Sequence, residues 1–491
     1  MVCEDKERLQ DFVIELVDNG WLIKSNKSYK FHQILKEFVF DNYLPLFEEV
    51  EIQVDYFSGL VEDSGDILLA VENRDNIVYL ESLARISSKF WIDNEKVGTF
   101  LSNFGNTIYF LGIYKRAEYF LSKALTIRLK LLGRNHPYTV TSYTNLATLY
   151  ESRGRYKRAE VLYCRALEVK EKILGKEHIY TATSYNNLGE LYSLKGEYDK
   201  AEPLLFKALN IREKILGEKH LDTALSYNGL AEIYRLIGEY HRAKEFYEKT
   251  LTIYQNILGE KHPYTATSYN NLALLYYAIG EYTQTEPLFI KALDIKKSLL
   301  GEEHSDIAPL YNNLASLYKL QGDYPKAEPL YQKALKIREE VLGREHPSTA
   351  ISYNSLAGLY ESMGKVQDAE TLYQKALRIN EKSLGEKHPN TAFFCSNLAS
   401  FYRSMGENEK AKPFYLKALK IREEVLGREH PDTATSYNNL AIFYNGEKDF
   451  ESAYRYMKKA VDVWSIVLPE NHPDLLEAKE GLDSIKKTII I

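Results

Sequence analysis

A six-residue pattern recurs along this chain at a constant interval of 42 residues. It reads SYNNLA at residues 268–273 and at 436–441, and related hexapeptides begin at residues 142, 184, 226, 310, 352 and 394. The same interval separates nine histidines, which are His136, His178, His220, His262, His304, His346, His388, His430 and His472. A fixed internal period predicts a stacked array, because such a chain grows by adding units that pack on their neighbours. The length of 491 residues is therefore not evidence for several separate globular domains.

Each unit has the pattern of a helical hairpin. In the unit that begins at His136, two runs of apolar or small residues follow helical spacing, and they are Tyr143, Leu146, Ala147 and Tyr150, then Ala159, Tyr163 and Ala166. Gly154 separates the two runs and Gly175 follows the second, where the end of a helix needs a residue that tolerates positive φ. The sequence therefore predicts an all-α fold with nine such hairpins over about residues 95–472.

These residues resemble the tetratricopeptide repeat, which has a large residue, a Leu-Gly/Ala pair and a Tyr on its first helix, and an Ala, an aromatic residue and an Ala on its second. The 42-residue length, the LGxEHPxTA linker and the NNLAxLY helix are similar to the subtype found in kinesin light chains and in many bacterial proteins. The resemblance covers roughly three quarters of the chain. It implies a right-handed superhelix, an α-solenoid, whose first helices line a concave groove. In the ninth unit Lys448 replaces the turn glycine, and less regular packing is expected toward this end.

Residues 1–57 follow a different pattern. A helix that ends at Gly20 is followed by alternating residues around a turn at Ser25-Asn26, and a second helix is predicted to start near His32. The run LVDNGWLIKSNKSYKFHQILKEFVFDN resembles the winged-helix element of STAND/NB-ARC-class signalling NTPases, in which a Met-His-Asp-like tripeptide precedes the last helix. Here the tripeptide is FHQ, and the resemblance implies that His32 would contact the β-phosphate of bound ADP.

No GxxxxGK[ST] phosphate-binding loop occurs in the sequence. His32 is therefore a cofactor-binding candidate only if a separate nucleotide-binding core exists, and no cofactor is expected for this chain itself. Residues 58–94 are predicted to form a helical bridge into the array. Residues 473–491 are predicted to form a capping helix with Leu475, Leu482 and Ile485 on one side. Because each repeat of such an array contacts only its neighbours, the ends are expected to fray first.

The regular histidines do not predict a metal site. Helices of successive repeats pack about 8–10 Å apart, whereas zinc holds its nitrogen ligands at about 2.0 Å, so one histidine per repeat cannot converge on an ion. We expect His and Pro instead to shape the turn between repeats, with Pro in the first helical turn. No set of nucleophile, base and orienting acid emerges from the pattern either. The chain is therefore not expected to be an enzyme.

Composition argues against several other classes of protein. The net charge of −6, with Lys/Arg and Glu/Asp interspersed, provides no basic stripe for nucleic acid. Cys3, Cys164 and Cys395 lie far apart, as expected for reduced thiols rather than a disulfide framework. No apolar stretch approaches the roughly 20 residues that span a bilayer. We therefore expect a cytoplasmic protein without nucleic-acid or membrane partners.

The paired asparagines of the repeat are the candidate binding residues. If Leu146, Ala147 and Tyr150 face partner helices, the position of Asn145 and its predecessor turn toward the hollow of the array. An amide offers donors and an acceptor, so a row of amides can bind the backbone of an extended peptide. The alternative is that each asparagine bonds to the neighbouring helix and sets the superhelical pitch. The row comprises Asn186, Asn187, Asn228, Asn270, Asn271, Asn312, Asn313 and Asn354.

Specificity is predicted to come from groove positions that vary between repeats. One turn after the asparagines lie Arg235, Tyr277 and Lys319. One turn before them, the usual threonine is replaced by Leu225, Pro309, Ile351 and Phe393. The middle of the groove is thus predicted to be basic and partly apolar, which fits a ligand with acidic and apolar residues. A plain solvated face is the alternative for these positions.

The sequence therefore predicts a non-enzymatic scaffold that binds a protein or peptide in a concave groove. One alternative is the C-terminal sensor part of a STAND-type signalling NTPase whose ATPase core is missing from this chain. A second is a kinesin-light-chain-like cargo adaptor, against which the absence of a heptad coiled coil before the repeats counts.

Overall fold

The computed structural model describes residues 22–25, 28–31, 84 and 94–490. The chain divides into two compact units, Met1–Leu60 and Val61–Ile491. In the first unit, strands β1 (Leu22–Ser25) and β2 (Ser28–Phe31) pair antiparallel, with Ser25 opposite Ser28. This pairing agrees with the hairpin expected around Ser25-Asn26. The helices predicted on either side of it, and His32, lie outside the described residues, so the winged-helix module remains a prediction.

Residues 94–490 form nine helical hairpins followed by one further helix. In each hairpin the first helix is called helix A and the second helix B. The pairs are Glu95–Phe110 and Tyr114–Leu131 (α1, α2), Pro137–Ser152 and Tyr156–Leu174 (α3, α4), Ile179–Leu194 and Tyr198–Leu216 (α5, α6), Leu221–Leu236 and Tyr240–Leu258 (α7, α8), Pro263–Ala278 and Tyr282–Leu300 (α9, α10), Ala308–Leu320 and Tyr324–Val341 (α11, α12), Pro347–Ser362 and Val366–Ser383 (α13, α14), Pro389–Ser404 and Asn408–Val425 (α15, α16), and Pro431–Gly446 and Phe450–Val467 (α17, α18). A 3₁₀ turn, Ser305–Ile307, precedes α11, and the last helix is α19 (Pro473–Ile490).

Local residues explain where the helices begin and end. From the second repeat onward a histidine precedes helix A, and its Nδ1 accepts the backbone N–H two residues later, as His136 does from Tyr138 at 3.3 Å. This bond satisfies one of the N–H groups that a helix N-terminus leaves without a partner. The A–B turn uses a glycine in the left-handed region, such as Gly154 with φ 64°, and the linker uses Gly175 with φ 92°. Lys448 takes the same turn conformation with φ 62° in the ninth repeat.

Successive repeats are joined by buried alanines and by tyrosine–glutamate bonds. Ala147, Ala159 and Ala166 are at most 1% exposed, and such small residues allow the helices to approach closely. The hydroxyl of Tyr227 on helix A donates to Glu213 on the preceding helix B at 2.5 Å. The same bond recurs 210 residues later, between Tyr437 and Glu423, because the repeat copies both partners. Tyr192 and Tyr318 donate in a second recurring bond to Glu160 and Glu286 of the preceding repeat.

Helices A line the inner side of the curved array. Helices A of neighbouring repeats, such as α5 with α7 and α11 with α13, contact one another directly, whereas helices B pack mainly on helices A. Closer spacing on one side bends the stack toward that side, so the concave surface is made of helices A. At the end of the array, α19 packs on the last hairpin through Leu475 and Ile485, with Leu482 partly buried beside them, as expected for a cap.

The curvature brings repeats that are far apart in sequence into contact. His388 Nε2 lies 3.0 Å from the carbonyl oxygen of Ser152, and His430 Nε2 lies 3.2 Å from that of Leu194. One superhelical turn therefore spans between five and six repeats. We call this contact the seam, and it joins Gly112, Gly154, Gly196 and Gly238 in A–B turns to His346, His388, His430 and His472. The expectation that each repeat contacts only its neighbours is therefore wrong, because the pitch stacks one turn directly on the next.

Candidate peptide-binding groove

The predicted asparagine row lies on the concave surface, and its members are mostly half-buried. Several of these amides bond to one another across neighbouring helices A. Asn271 donates to Asn228 Oδ1 at 2.8 Å and Asn313 donates to Asn270 Oδ1 at 2.9 Å. Asn397 donates to Asn354 Oδ1 at 3.1 Å in the same way. For these residues, the hydrogen bonds to a neighbouring helix that the alternative interpretation requires are thus present.

Other amides of the row keep hydrogen-bonding groups that no neighbour uses. The side-chain amide of Asn187 makes no hydrogen bond with the described part of the chain, and neither does the Nδ2 of Asn228. Asn312 donates to Ser355 Oγ at 3.2 Å, while its buried Oδ1 has no partner among the described residues. Asn186 donates to Glu190 at 2.9 Å and likewise leaves a buried Oδ1 unpaired. Bonding between repeats therefore orients the amides without using all their groups.

The charged groove positions differ in how far their charge is already paired. Arg235 forms an ion pair with Glu232, three residues earlier on the same helix, at 2.5 Å. The side chain of Lys319 is half-buried and makes no direct hydrogen bond or ion pair within residues 94–490. Burial lowers its pKa, while Glu361 on the next helix A favours its charged form from a greater distance. Tyr277 packs its ring 6.0 Å from that of Tyr282. Of the two basic residues predicted here, Arg235 is thus paired directly with a carboxylate, whereas Lys319 makes no direct ion pair.

Two neighbouring glutamates make one end of the groove acidic, which the sequence pattern did not suggest. Glu151 and Glu190 lie on successive helices A and interact electrostatically. Desolvation by the surrounding protein raises the pKa of Glu151 to about 7 and also raises the pKa of Glu190. The two glutamates are 39 residues apart, slightly less than one repeat, and this spacing could have indicated that they lie close together on neighbouring helices A.

Apolar side chains stand on the same surface one turn before the asparagines. Leu225 is 48% exposed, Ile351 38% and Phe393 45%, and Pro309 is also exposed. Pro309, Ile351 and Phe393 belong to three successive helices A, and we call them the apolar stripe. An exposed apolar row inside a concave surface is a feature of peptide-binding grooves.

The repeat histidines serve as helix caps in the array. Each Nδ1 is occupied as a helix cap, and the imidazoles are separated by whole repeats. Within the described ranges, no three His, Cys, Asp or Glu side chains are grouped as metal ligands would be. No helix described there has the length and apolar character needed to cross a membrane.

Comparison with known proteins agrees with this architecture. Matches to the tetratricopeptide repeat family cover residues 97–172, 165–214, 180–256, 222–298, 264–340, 306–382, 349–393 and 395–465. No curated protein sequence matches the chain significantly.

Solved structures with similar repeats include BtubC (BKLC) from P. vanneervenii, which is 28% identical, with 47% of this chain and 92% of that chain covered and a TM-score of 0.40. A putative kinesin light chain with nearly identical TPR-like repeats from Podosopora anserina is 27% identical, with 42% and 97% covered and a TM-score of 0.35. A Rap protein complexed with Competence and Sporulation Factor is 17% identical, with 77% and 98% covered and a TM-score of 0.50, a likeness of fold. Since the family matches extend through most of residues 97–465 and the hairpins have its geometry, this chain belongs to the tetratricopeptide repeat family.

Proposed function

We propose that the concave groove binds an extended peptide segment of a partner protein and that the protein acts as a non-enzymatic scaffold in the cytoplasm. The observation that supports this proposal is the continuous row of half-buried amides on helices A. The amides are held in place by bonds such as Asn313 to Asn270, yet several donors and acceptors remain unpaired. A peptide backbone supplies N–H and C=O groups at regular intervals, which is what such a row can bind.

The ligand proposed for this groove carries acidic and apolar side chains. Lys319 makes no direct ion pair, and the apolar stripe lies on neighbouring helices. Arg235 contributes less to this selectivity, because Glu232 already neutralises it. The two other functions considered from the sequence, an NTPase sensor part and a motor adaptor, rest on sequence resemblance alone.

The test uses a peptide selected from a random displayed library against the full chain. In the variant that combines Asn270→Ala and Asn312→Ala, each lost hydrogen bond is worth roughly 0.5 to 1.5 kcal/mol, so affinity for the selected peptide should fall about tenfold. The matched control combines Asn210→Ala and Asn256→Ala, two exposed asparagines on helices B, and should leave affinity unchanged.

Calorimetry or fluorescence anisotropy gives the dissociation constants, and thermal melts give the stability of each variant. If the groove double variant melted at a lower temperature but bound the peptide as the unmodified protein does, the asparagines would serve only to join the repeats. A library selection that enriched no peptide at all would contradict the proposed function itself.

A further inference from the structure

Arginines on helices B reach the inner surface at one register position of the repeat. Arg128, Arg212, Arg338 and Arg422 are each at most 7% exposed. In every case Nη1 donates to a serine hydroxyl on the next helix A, at 2.6 to 2.9 Å. Each guanidinium therefore lies between two neighbouring helices A, close to their first turns. The repeat pattern does not single out these arginines, because the groove was predicted to be lined by helices A.

In the first and third repeats a second nitrogen of the guanidinium, Nη2, is also hydrogen-bonded, although the buried Nε of each arginine makes no hydrogen bond. Arg128 Nη2 donates to Thr99 Oγ1 at 2.8 Å, and its Nε lies 3.5 Å from Glu95 Oε1. Arg212 Nη2 donates to Thr183 Oγ1 at 3.5 Å. Both threonines occupy the groove position one turn before the asparagines. A hydroxyl at this position is thus the usual second partner of the buried arginine.

Arg338 and Arg422 lack this second partner. The corresponding groove positions hold Pro309 and Phe393, which have no hydroxyl group. Within residues 94–490 each guanidinium donates from Nη1 only, and no carboxylate lies within 4.0 Å of either. Asp432 favours the charged form of Arg422, but only from beyond this distance. Arg338 and Arg422 are therefore buried cations with neither a second hydroxyl partner nor a directly paired carboxylate.

Both cations remain available to a ligand at neutral pH. Burial lowers the pKa of Arg338 to about 10, which still leaves its guanidinium protonated. A desolvated charge without a partner is costly, so an incoming carboxylate gains more from it than from an exposed lysine. Pro309, Ile351 and Phe393 lie on helices A of the sixth, seventh and eighth repeats, whereas Arg338 and Arg422 lie on helices B of the sixth and eighth. In repeat order, Ile351 therefore falls between the two arginines.

We propose that Arg338 and Arg422 bind two carboxylates of an extended peptide whose intervening apolar side chain packs on Ile351. The inference rests on the proposed function and specifies its ligand. The two arginines are two repeats apart, which corresponds to roughly 20 Å at a helix spacing of about 10 Å. An extended chain rises about 3.3 Å per residue, so the two acidic residues of the ligand should be roughly six positions apart.

The experiment selects 16-residue peptides from a random phage-displayed library on the full chain. The unmodified protein should enrich Asp or Glu at two positions about six apart, with an apolar residue between them. Arg338→Gln and Arg422→Gln should each remove one of the two preferences and weaken the best peptide at least tenfold. Arg128→Gln is the matched control, because Glu95 already neutralises that guanidinium, and it should leave the selection unchanged.

A second pair of variants tests the proposal without removing a buried charge. Pro309→Thr restores the hydroxyl that Thr99 provides to Arg128, and it should weaken the preference for the acidic residue at the Arg338 end. Ile351→Thr changes the apolar stripe beside Asn380, where helix B carries no arginine, and it should affect only the apolar preference. Both positions are exposed, so these variants are expected to fold.

The outcomes separate this inference from the proposed function. Peptides that bind the groove but show no paired acidic preference, or whose preference survives Arg338→Gln, Arg422→Gln and Pro309→Thr, would overturn the inference alone. Failure to enrich any peptide would overturn both. An equal response to inorganic phosphate and to the peptide carboxylates in competition would show a general anion site and would also contradict the proposal.

Discussion

At the scale of single residues, the repeat histidine uses its two ring nitrogens for different purposes. His388 Nδ1 accepts the backbone N–H of Asn390 at 3.0 Å and so caps a helix. Its Nε2 faces the carbonyl oxygen of Ser152 across the seam at 3.0 Å, which requires a hydrogen on Nε2. Only the neutral tautomer protonated at Nε2 makes both bonds, and burial lowers the pKa of His388 to about 4.

Acidification should therefore destabilise the fold through His388. Because its folded pKa is depressed below the ordinary 6.5, its contribution is present above pH 6.5 and is lost as pH falls toward 4. The loss should reach roughly 2 to 3 kcal/mol by pH 4.5. His388→Asn keeps a capping acceptor and should flatten the dependence of the urea midpoint on pH. The control variant His136→Asn changes a cap that has no seam partner, and it should keep the pH dependence of the unmodified protein. Equal slopes of urea midpoint against pH for all three proteins would contradict this account.

A backbone strain at Lys448 leads to another prediction at the same scale. Lys448 is the non-glycine residue with positive φ among those described, at 62°. A non-glycine side chain at positive φ costs roughly 1 to 2 kcal/mol of stability. Replacement by glycine removes this cost, but part of the gain is lost because glycine has more conformational freedom in the unfolded chain. Lys448→Gly should thus raise the unfolding free energy by up to about 1 kcal/mol in chemical denaturation. Lys448→Ala, which keeps the Cβ, should give no gain, and an equal gain would mean that the strain is absent.

At the scale of elements, α19 closes the apolar end of the array. Leu475 and Ile485 are 1% and 4% exposed because they pack on the ninth hairpin, whereas Lys486 and Lys487 point to solvent. A helix with one apolar and one charged face allows the stack to end without presenting its core to water. The His472 cap of α19 also reaches the seam near Gly238, so this helix supports two surfaces.

Removal of residues 473–491 should expose the last hairpin and promote aggregation. Each buried aliphatic side chain lost is worth about 2 kcal/mol, so the melting temperature should fall by several degrees. A shorter truncation that removes only residues 487–491 serves as the control and should behave as the intact chain does. Light scattering and thermal melts would distinguish the two. A soluble, equally stable chain lacking 473–491 would show that α19 is not a cap.

At the scale of the whole superhelix in residues 94–490, the seam makes distant repeats cooperate. The A–B turns of the first four repeats lie against the helix N-termini of the last three repeats and of α19. Glycine is needed in these turns both for positive φ and for space, since a Cβ on Gly196 would lie 2.6 Å from Pro431 Cδ. Because one superhelical turn spans between five and six repeats, the nine hairpins extend well beyond one turn.

Adding methyl groups at the seam should open it. In the variant that combines Gly154→Ala and Gly196→Ala, each new Cβ would approach a proline to 2.6 Å, so the turns must separate. Gly322→Ala with Gly364→Ala imposes the same backbone strain, but nothing lies within 4 Å of those positions. Small-angle scattering should detect a larger maximum dimension for the first variant only. Identical profiles for both would mean that the seam does not hold in solution.

The sequence predicted which helices carry the asparagines, but it did not predict which groups these side chains bond to. The asparagine row follows from helical spacing, and its members do line helices A. Whether Asn271 bonds to Asn228 or to a ligand depends on the rotation between repeats, which a periodic pattern does not state. Arg235 was predicted to make the groove basic, but it is paired with Glu232 on the same helix. Arg338 was missed because its importance comes from the absent hydroxyl at Pro309, on another helix.

By itself the sequence determined what is local in this protein: the 42-residue unit, its two helices, the histidine caps and the glycine turns. These features depend on residues within a few positions of one another, so each repeat carries all the information for them. Only the tertiary structure decided the seam and the unpaired arginines. The seam arises from a small rotation at every repeat interface, summed over five to six repeats until the superhelix meets itself. The charge state of the groove depends on which side chains this curvature brings together, and no single repeat contains that information.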